Sequence, residues 1–161
     1  MSTKPSPITP LSDVEPVGAQ VQLLVQLLKL SSLINRPMQQ GVANANGLGL
    51  NEVKVIVCLG GEGALAGHEL AEILAMTTMN ASRALTALLE RGWVEPEADP
   101  ANRRRKPYKL SEAGWAGYRA MTPDVSMVAA KVFESLSKSE SAAFARIIDK
   151  IIARVEMWPA A

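Results

Sequence analysis

Residues 77–110, TTMNASRALTALLERGWVEPEADPANRRRKPYKL, change hydrophobic period partway along, and that change decides the fold. From Thr77 to Arg91 the apolar residues Ala81, Ala84, Leu85 and Leu88 recur at three- and four-residue intervals, the period of an amphipathic helix. Thr77 or Thr78 can cap it, because a threonine hydroxyl accepts from the orphan amides of a first turn, and Gly92 can end it. Past Gly92 the period falls to two. Trp93-Val94-Glu95 and Tyr108-Lys109-Leu110 predict short strands, and between them Asp99-Pro100 starts a turn carrying Arg103, Arg104, Arg105 and Lys106.

Upstream, Leu70, Ala71 and Leu74 predict a shorter helix from about Gly67 to Ala75. Asn51 can cap an earlier one that holds Val53–Val57 and Leu59 and stops at Gly60-Gly61. Three short helices with a tight Ala-Met-Thr-Thr connection describe a helix-turn-helix, and the basic hairpin after it makes a winged helix. Pro37 to Gly49, with three glycines and no charge, predicts a loop or a frayed helix end. Before it, Val21, Leu24, Val25 and Leu28 follow one helical stripe, which Leu23, Leu27, Leu30 and Ile34 widen until the helix needs cover on two sides. The four prolines within residues 1–16 predict a mobile arm.

Downstream, Ser111 with Glu112 opens a helix, and Thr122-Pro123-Asp124 reads as a second cap, so a kink or break is expected near Thr122. Ser137-x-x-Glu140 is a capping box for a last helix, whose face holds Phe144, Ile147, Ile148, Ile151, Ile152 and Val155. The predicted fold class is mainly α (α+β). A winged helix-turn-helix lobe spans 51–110, and helices from 17–50 and 111–161 form a dimerisation region. Both terminal helices carry more apolar surface than that lobe can bury, so a homodimer is expected.

The 161 residues are 48% hydrophobic and 20% charged with a net charge of +1, which excludes disorder throughout and collagen-like structure and gives no bulk pull toward nucleic acid or membrane. The charge is instead local. Arg83 to Lys109 holds seven basic and four acidic residues, so the rest of the chain is net negative. One cysteine, Cys58, and one histidine, His68, exclude an internal disulfide and a zinc-finger set. Lys4 is followed by prolines rather than an apolar segment, so no secretory signal is visible, and the run Val17–Leu28 is interrupted by Gln20, Gln22 and Gln26. A cytoplasmic protein with no membrane partner is expected.

Double-stranded DNA is the partner this arrangement suits. Thr77, Thr78, Asn80, Ser82 and Arg83 on the third helix can meet base edges and phosphates in a major groove, and Arg103, Arg104, Arg105 and Lys106 can reach the adjacent minor groove. His68 and Glu72 share a helix face but find no further ligands, so no metal is expected; the glycines at 60–63 lack the lysine of a phosphate loop. No catalytic constellation, and hence no enzyme and no cofactor, is expected.

Four segments carry a family resemblance: Glu69-Leu-Ala-Glu-Ile-Leu74, Arg83-Ala-Leu-Thr-Ala-Leu-Leu-Glu-Arg-Gly-Trp-Val94, Asp99-Pro-Ala-Asn-Arg-Arg-Arg105 and Leu110-Ser-Glu-Ala-Gly114. Over about residues 48–118 the chain resembles the MarR-type winged-helix transcription factors. The family's wing reads Asp-x-Arg before a Leu-Thr-x-x-Gly turn; here Asn102 replaces the aspartate and Ser111 the threonine, and Arg104 matches the minor-groove arginine. The resemblance implies a repressor of a pseudo-palindromic operator, released by a small-molecule effector. It also implies a pocket near Met38, Trp115, Tyr118 and Met121, residues that are equally suited to ordinary core. Two alternatives stand beside it: a redox-responsive regulator acting through Cys58, and a winged helix that binds protein. The family's one-cysteine peroxide sensors carry their thiol near the start of the first helix, unlike Cys58.

Overall fold

The computed structural model describes residues 18–159, so the arm expected over residues 1–16 lies outside the described residues. The chain divides into two units, residues up to Asn35 and residues from Arg36 onward. In the first, α1 (Ala19–Leu33) starts behind Gly18, and none of its residues is buried. Val21, Leu23, Leu24, Leu28 and Leu33 are all more than half exposed in the single chain, the surplus apolar surface that the sequence predicts.

Around the start of the second unit, α2 (Asn35–Met38) runs into a π turn over Gln39–Ala43 and a 3-10 turn over Asn44–Asn46, closed by Gly47 at φ +63°. Of the two expectations, a loop or a frayed helix end, the structure shows an irregular helix end. Its glycines and amides act in tertiary packing instead: Val42 and Ala43 are fully buried, and a Cβ on Gly41 would sit 2.4 Å from Val128 Cγ2 of α6 (Glu112–Val132). Asn46 Nδ2 donates to Val42 O at 2.8 Å and to Asp124 Oδ2 at 2.9 Å, which ties the turn to α6.

Next comes α3 (Leu50–Glu62), whose N-cap is Gly49 rather than Asn51; Asn51 falls inside the first turn, and the helix runs past Gly60-Gly61 to Gly63 at φ +86°. Then follow β1 (Leu65–Ala66), α4 (Gly67–Ile73), α5 (Thr78–Glu90), β2 (Val94–Pro96) and β3 (Pro107–Leu110). The sheet is antiparallel in the order β1-β3-β2, with Leu65 opposite Tyr108 and Val94 opposite Leu110. Two-residue β1 is too short to leave a period in sequence. One core holds Val53, Ile56 and Leu59 of α3, Leu70 of α4, Leu85 and Leu88 of α5, and Met121 of α6.

Ser111 caps α6 by accepting from Gly114 N at 3.1 Å. The break expected near Thr122 is absent: α6 passes through Pro123 unbroken. Pro123 forfeits one backbone hydrogen bond, but Met121 before it and Val128 after it are both buried in the same core, and that packing favours continuing the helix on both sides of the proline. After the turn, α7 (Lys138–Glu156) opens with the predicted capping box. Glu140 N donates to Ser137 Oγ at 3.2 Å, and Ser137 N donates back to Glu140 Oε2 at 2.8 Å. Its apolar face divides. Phe144 and Ile148 line a cleft with Phe133 and Leu136, while Ile147, Ile151, Ile152 and Val155 are exposed.

Candidate nucleic-acid interface

The arc of α5 that faces outward follows from its sequence. Ala81, Ala84, Leu85 and Leu88 are buried, so the opposite stripe, Met79, Ser82, Arg83 and Thr86, at i, i+3, i+4 and i+7, is exposed. Ser82 and Arg83, expected as contacts, lie on that stripe. Thr77 is the N-cap: its hydroxyl oxygen accepts from Asn80 N at 3.1 Å, so its first task is to hold the leading end of the helix. Asn80 lies at the edge of the stripe and is half-buried beside Gln39, Asn51 and Arg83. Met79 and Thr86 were not among the expected contacts; the burial of the alternate face, which the period already announces, is the signal that places them.

Arg91 fixes the far end of α5. Its guanidinium donates to Gly47 O, lies 3.9 Å from Glu52 Oε2 and sits 5.8 Å from the centroid of the Trp93 ring. Trp93 in turn rests on α6 where only glycine leaves room, as a Cβ on Gly117 would approach its ring to 2.5 Å.

The basic tip between β2 and β3 is not uniform. Arg105 is bound inward: its Nη2 donates to Glu69 Oε2 at 2.7 Å and to Ala64 O at 3.1 Å, its Nε to Glu69 Oε1 at 2.9 Å, and its Nη1 to Asp99 Oδ2 at 3.1 Å. Sequence placed Arg105 beside Arg104 as a groove contact; with its donors engaged by α4 and by the wing's own turn, Arg105 fastens the wing to the helix-turn-helix. Asp99 also accepts from the amides of Ala101 and Asn102, each at 3.1 Å, and Asn102 Oδ1 accepts from Arg104 N at 3.2 Å. Asn102 thus keeps the turn by accepting from backbone, Asp99 and Glu69 hold Arg105, and no carboxylate takes the missing one's place beside Arg104. Lys109 pairs with Glu97 at 3.1 Å. Among the described residues, Arg83, Arg103, Arg104 and Lys106 have no carboxylate within ion-pair distance. A cleft of about 440 Å³ runs between the two elements, lined by Thr78, Ser82 and Thr86 from α5, by Arg104 and Lys106 from the wing, and by His68. Hydroxyls on one wall and cations on the other suit a phosphodiester strand.

The clamp has a predictable pH range. Hydrogen bonds from Arg105, then from Ala66 N, hold the Glu69 carboxyl down at about 2. A carboxylate depressed in the folded state stabilises fully above its ordinary value of about 4.3 and loses that contribution as pH falls through the folded value. The Arg105 Nε–H resonance should therefore stay protected from pH 8 to 5 and broaden only as pH falls from about 4.3 toward 2. Loss of protection at pH 5–6 would contradict the clamp.

The remaining candidates separate. Met121 is 1% exposed and belongs to the core, so its side chain is not open to an effector. Met38 and Tyr118 lie partly buried against that core, Tyr118 over Gly60, and Trp115 meets Tyr118 edge-on at 5.5 Å. Cys58 is buried, and burial, then the charge of Glu62, push its thiol above the ordinary range, which disfavours the reactive thiolate. Glu69, met in sequence only inside a helix motif, proves to be the anchor of the wing. Its carboxylate also accepts from Ala66 N at 2.7 Å, closing the first turn of α4.

Comparison with known proteins then bears on this arrangement. Residues 48–106 match the MarR family. The MarR match spans the helix-turn-helix and most of the wing. The fold is also that of solved MarR-family regulators. One from Silicibacter pomeroyi is 21% identical with a TM-score of 0.73, over 89% of this chain and 96% of that one. The Bordetella bronchiseptica regulator BpsR, described by the regulation of its DNA binding by 6-hydroxynicotinic acid, is 21% identical with a TM-score of 0.66, over 82% and 98%. The oxidized form of MarR from E. coli is 17% identical with a TM-score of 0.65, over 86% and 96%. Among curated proteins none matches. No helix among the described residues is long and apolar enough to cross a membrane.

Proposed function

We propose that this protein is a sequence-specific DNA-binding regulator of transcription and not an enzyme, and that it acts in the cytoplasm as a homodimer. The observation that carries the reading is the distribution of charge on the winged helix: Arg105 is consumed in holding the wing, while Arg83 on α5 and Arg103, Arg104 and Lys106 on the wing have no carboxylate partner among the described residues, and Arg104 and Lys106 face the hydroxyls of α5 across one cleft. Unpaired cations flanking the open face of a helix match the needs of a duplex, phosphate contacts for affinity and a helix face for base edges. We further propose that it occludes a promoter and is released by a small molecule, a reading supported by the family match over residues 48–106 and by the Bordetella regulator, whose DNA binding is regulated by 6-hydroxynicotinic acid. Met38, Trp115 and Tyr118 are the proposed residues near that effector.

The test is binding of duplexes selected from random sequence, measured by fluorescence anisotropy over a range of salt. Arg104→Ala is expected to weaken binding to every duplex and to reduce the slope of log K against log[salt] by about 0.9, the value for one phosphate neutralised. Arg83→Ala is expected also to flatten base preference. Unaltered retention of duplexes by both variants would refute the assignment and favour a protein partner.

A further inference from the structure

We propose that Met79 is a specificity-determining residue that reads the C5 methyl group of a thymine in the major groove. The inference rests on the DNA-binding reading above and adds to it the identity of one base. Met79 is 61% exposed, on the second residue of α5, and it heads the outward stripe that continues through Ser82, Arg83 and Thr86. The first turns of a recognition helix are the part that meets base edges. Of the groups in that turn, Thr77 is committed to the cap, Thr78 lines the cleft toward the wing and Asn80 is half-buried, so the exposed side chain that heads the outward stripe is apolar. An apolar tip gains nothing from phosphate, and in a major groove every base edge except one presents only hydrogen-bonding groups; the exception is the thymine methyl. Methionine suits that partner, because its unbranched, polarizable chain can settle over a methyl group without a fixed rotamer. Leu89, seven residues past Ser82 and further from the leading end, does not share this placement.

The experiment uses the full chain and duplexes it selects from a random pool, in which each thymine is replaced singly by deoxyuridine, a change that removes the C5 methyl and nothing else. For the wild type, replacement at one thymine in each half-site is expected to weaken binding about three- to fourfold, the effect of one buried carbon. Met79→Ala should bind the thymine and uracil duplexes equally at that position, and Met79→Leu should restore the discrimination. Because Met79 is exposed and alanine favours helix, the variants should melt with the wild type. Equal sensitivity of wild type and Met79→Ala to every replacement, or a selected site without such a thymine, would overturn the assignment of Met79 while leaving DNA binding intact. Failure of the wild type to retain any duplex would overturn DNA binding itself and this assignment with it.

Discussion

Gly114→Ala is expected to destabilise the protein by about 3 kcal/mol and to lower its melting temperature by roughly 6–12 °C. A Cβ built on Gly114 would lie 1.9 Å from Trp93 O and 2.9 Å from the carbonyl carbon. The obstacle is backbone, so no side-chain rotation relieves it. That carbonyl is also fixed from the other side, as it accepts from Ser111 N at 3.0 Å, while the Ser111 hydroxyl donates to Gly92 O at 2.6 Å. The variant must therefore push the start of α6 away from the end of α5 and break the junction that seats the wing. Gly61 supplies the contrast. It too is a helical glycine, in α3, but a Cβ there meets nothing within 4 Å, so Gly61→Ala should be neutral or stabilise by up to about 1 kcal/mol through helix propensity. Thermal melts followed by circular dichroism separate the two, and a Gly114→Ala protein melting within about a degree of the wild type would contradict the packing described here.

Gly114 also illustrates what was legible in the sequence. The turn Leu110-Ser-Glu-Ala-Gly114 announces a cap and a glycine, and the structure supplies the reason: the helix must leave the sheet at van der Waals distance from Trp93. Helices with a clean period and a strong cap, α5 and α7, were readable for the same cause, since one face buries and one polar residue closes the first turn. The π turn over Gln39–Ala43 was not readable, because its buried residues are only Val42 and Ala43 and its glycine serves a contact with Val128, some ninety residues away in sequence. Pro123 misled for a related reason. Local rules price the lost hydrogen bond but not the burial of Met121 and Val128 on either side of it. In the wing, the run of four cations gave the location of the charge but not its division. Arg105 differs from Arg104 through Glu69, thirty-six residues earlier, which no local pattern connects to it.

The exposed face of α7 carries the largest expected effect on assembly. Ile147, Ile151, Ile152 and Val155 lie on one side of the helix, and Ile151 and Val155 are 41% and 62% exposed in the single chain. Burying a branched aliphatic side chain is worth about 1.5–3 kcal/mol, so a self-complementary contact along this face would gain several kcal/mol from these residues alone. Replacing Ile151 and Val155 together with Asp removes that gain and places carboxylates opposite one another across a two-fold axis, which should raise the dimer dissociation constant by at least about two orders of magnitude. Because both positions are exposed in the single chain, the variant should keep its helical content. Phe144 and Ile148, turned toward Phe133, would be the wrong choice, since charging them would disturb the chain's own packing. Sedimentation velocity at micromolar concentration should show the wild type as a dimer and the double variant as a folded monomer. If two winged helices paired in this way are to meet one duplex face they must address successive major grooves, about 34 Å apart, so the monomer should also lose protection of a site with half-sites about 10 bp apart. A wild type that sediments as a monomer, or a double variant that dimerises as tightly as the wild type, would rule out this face as the dimer contact.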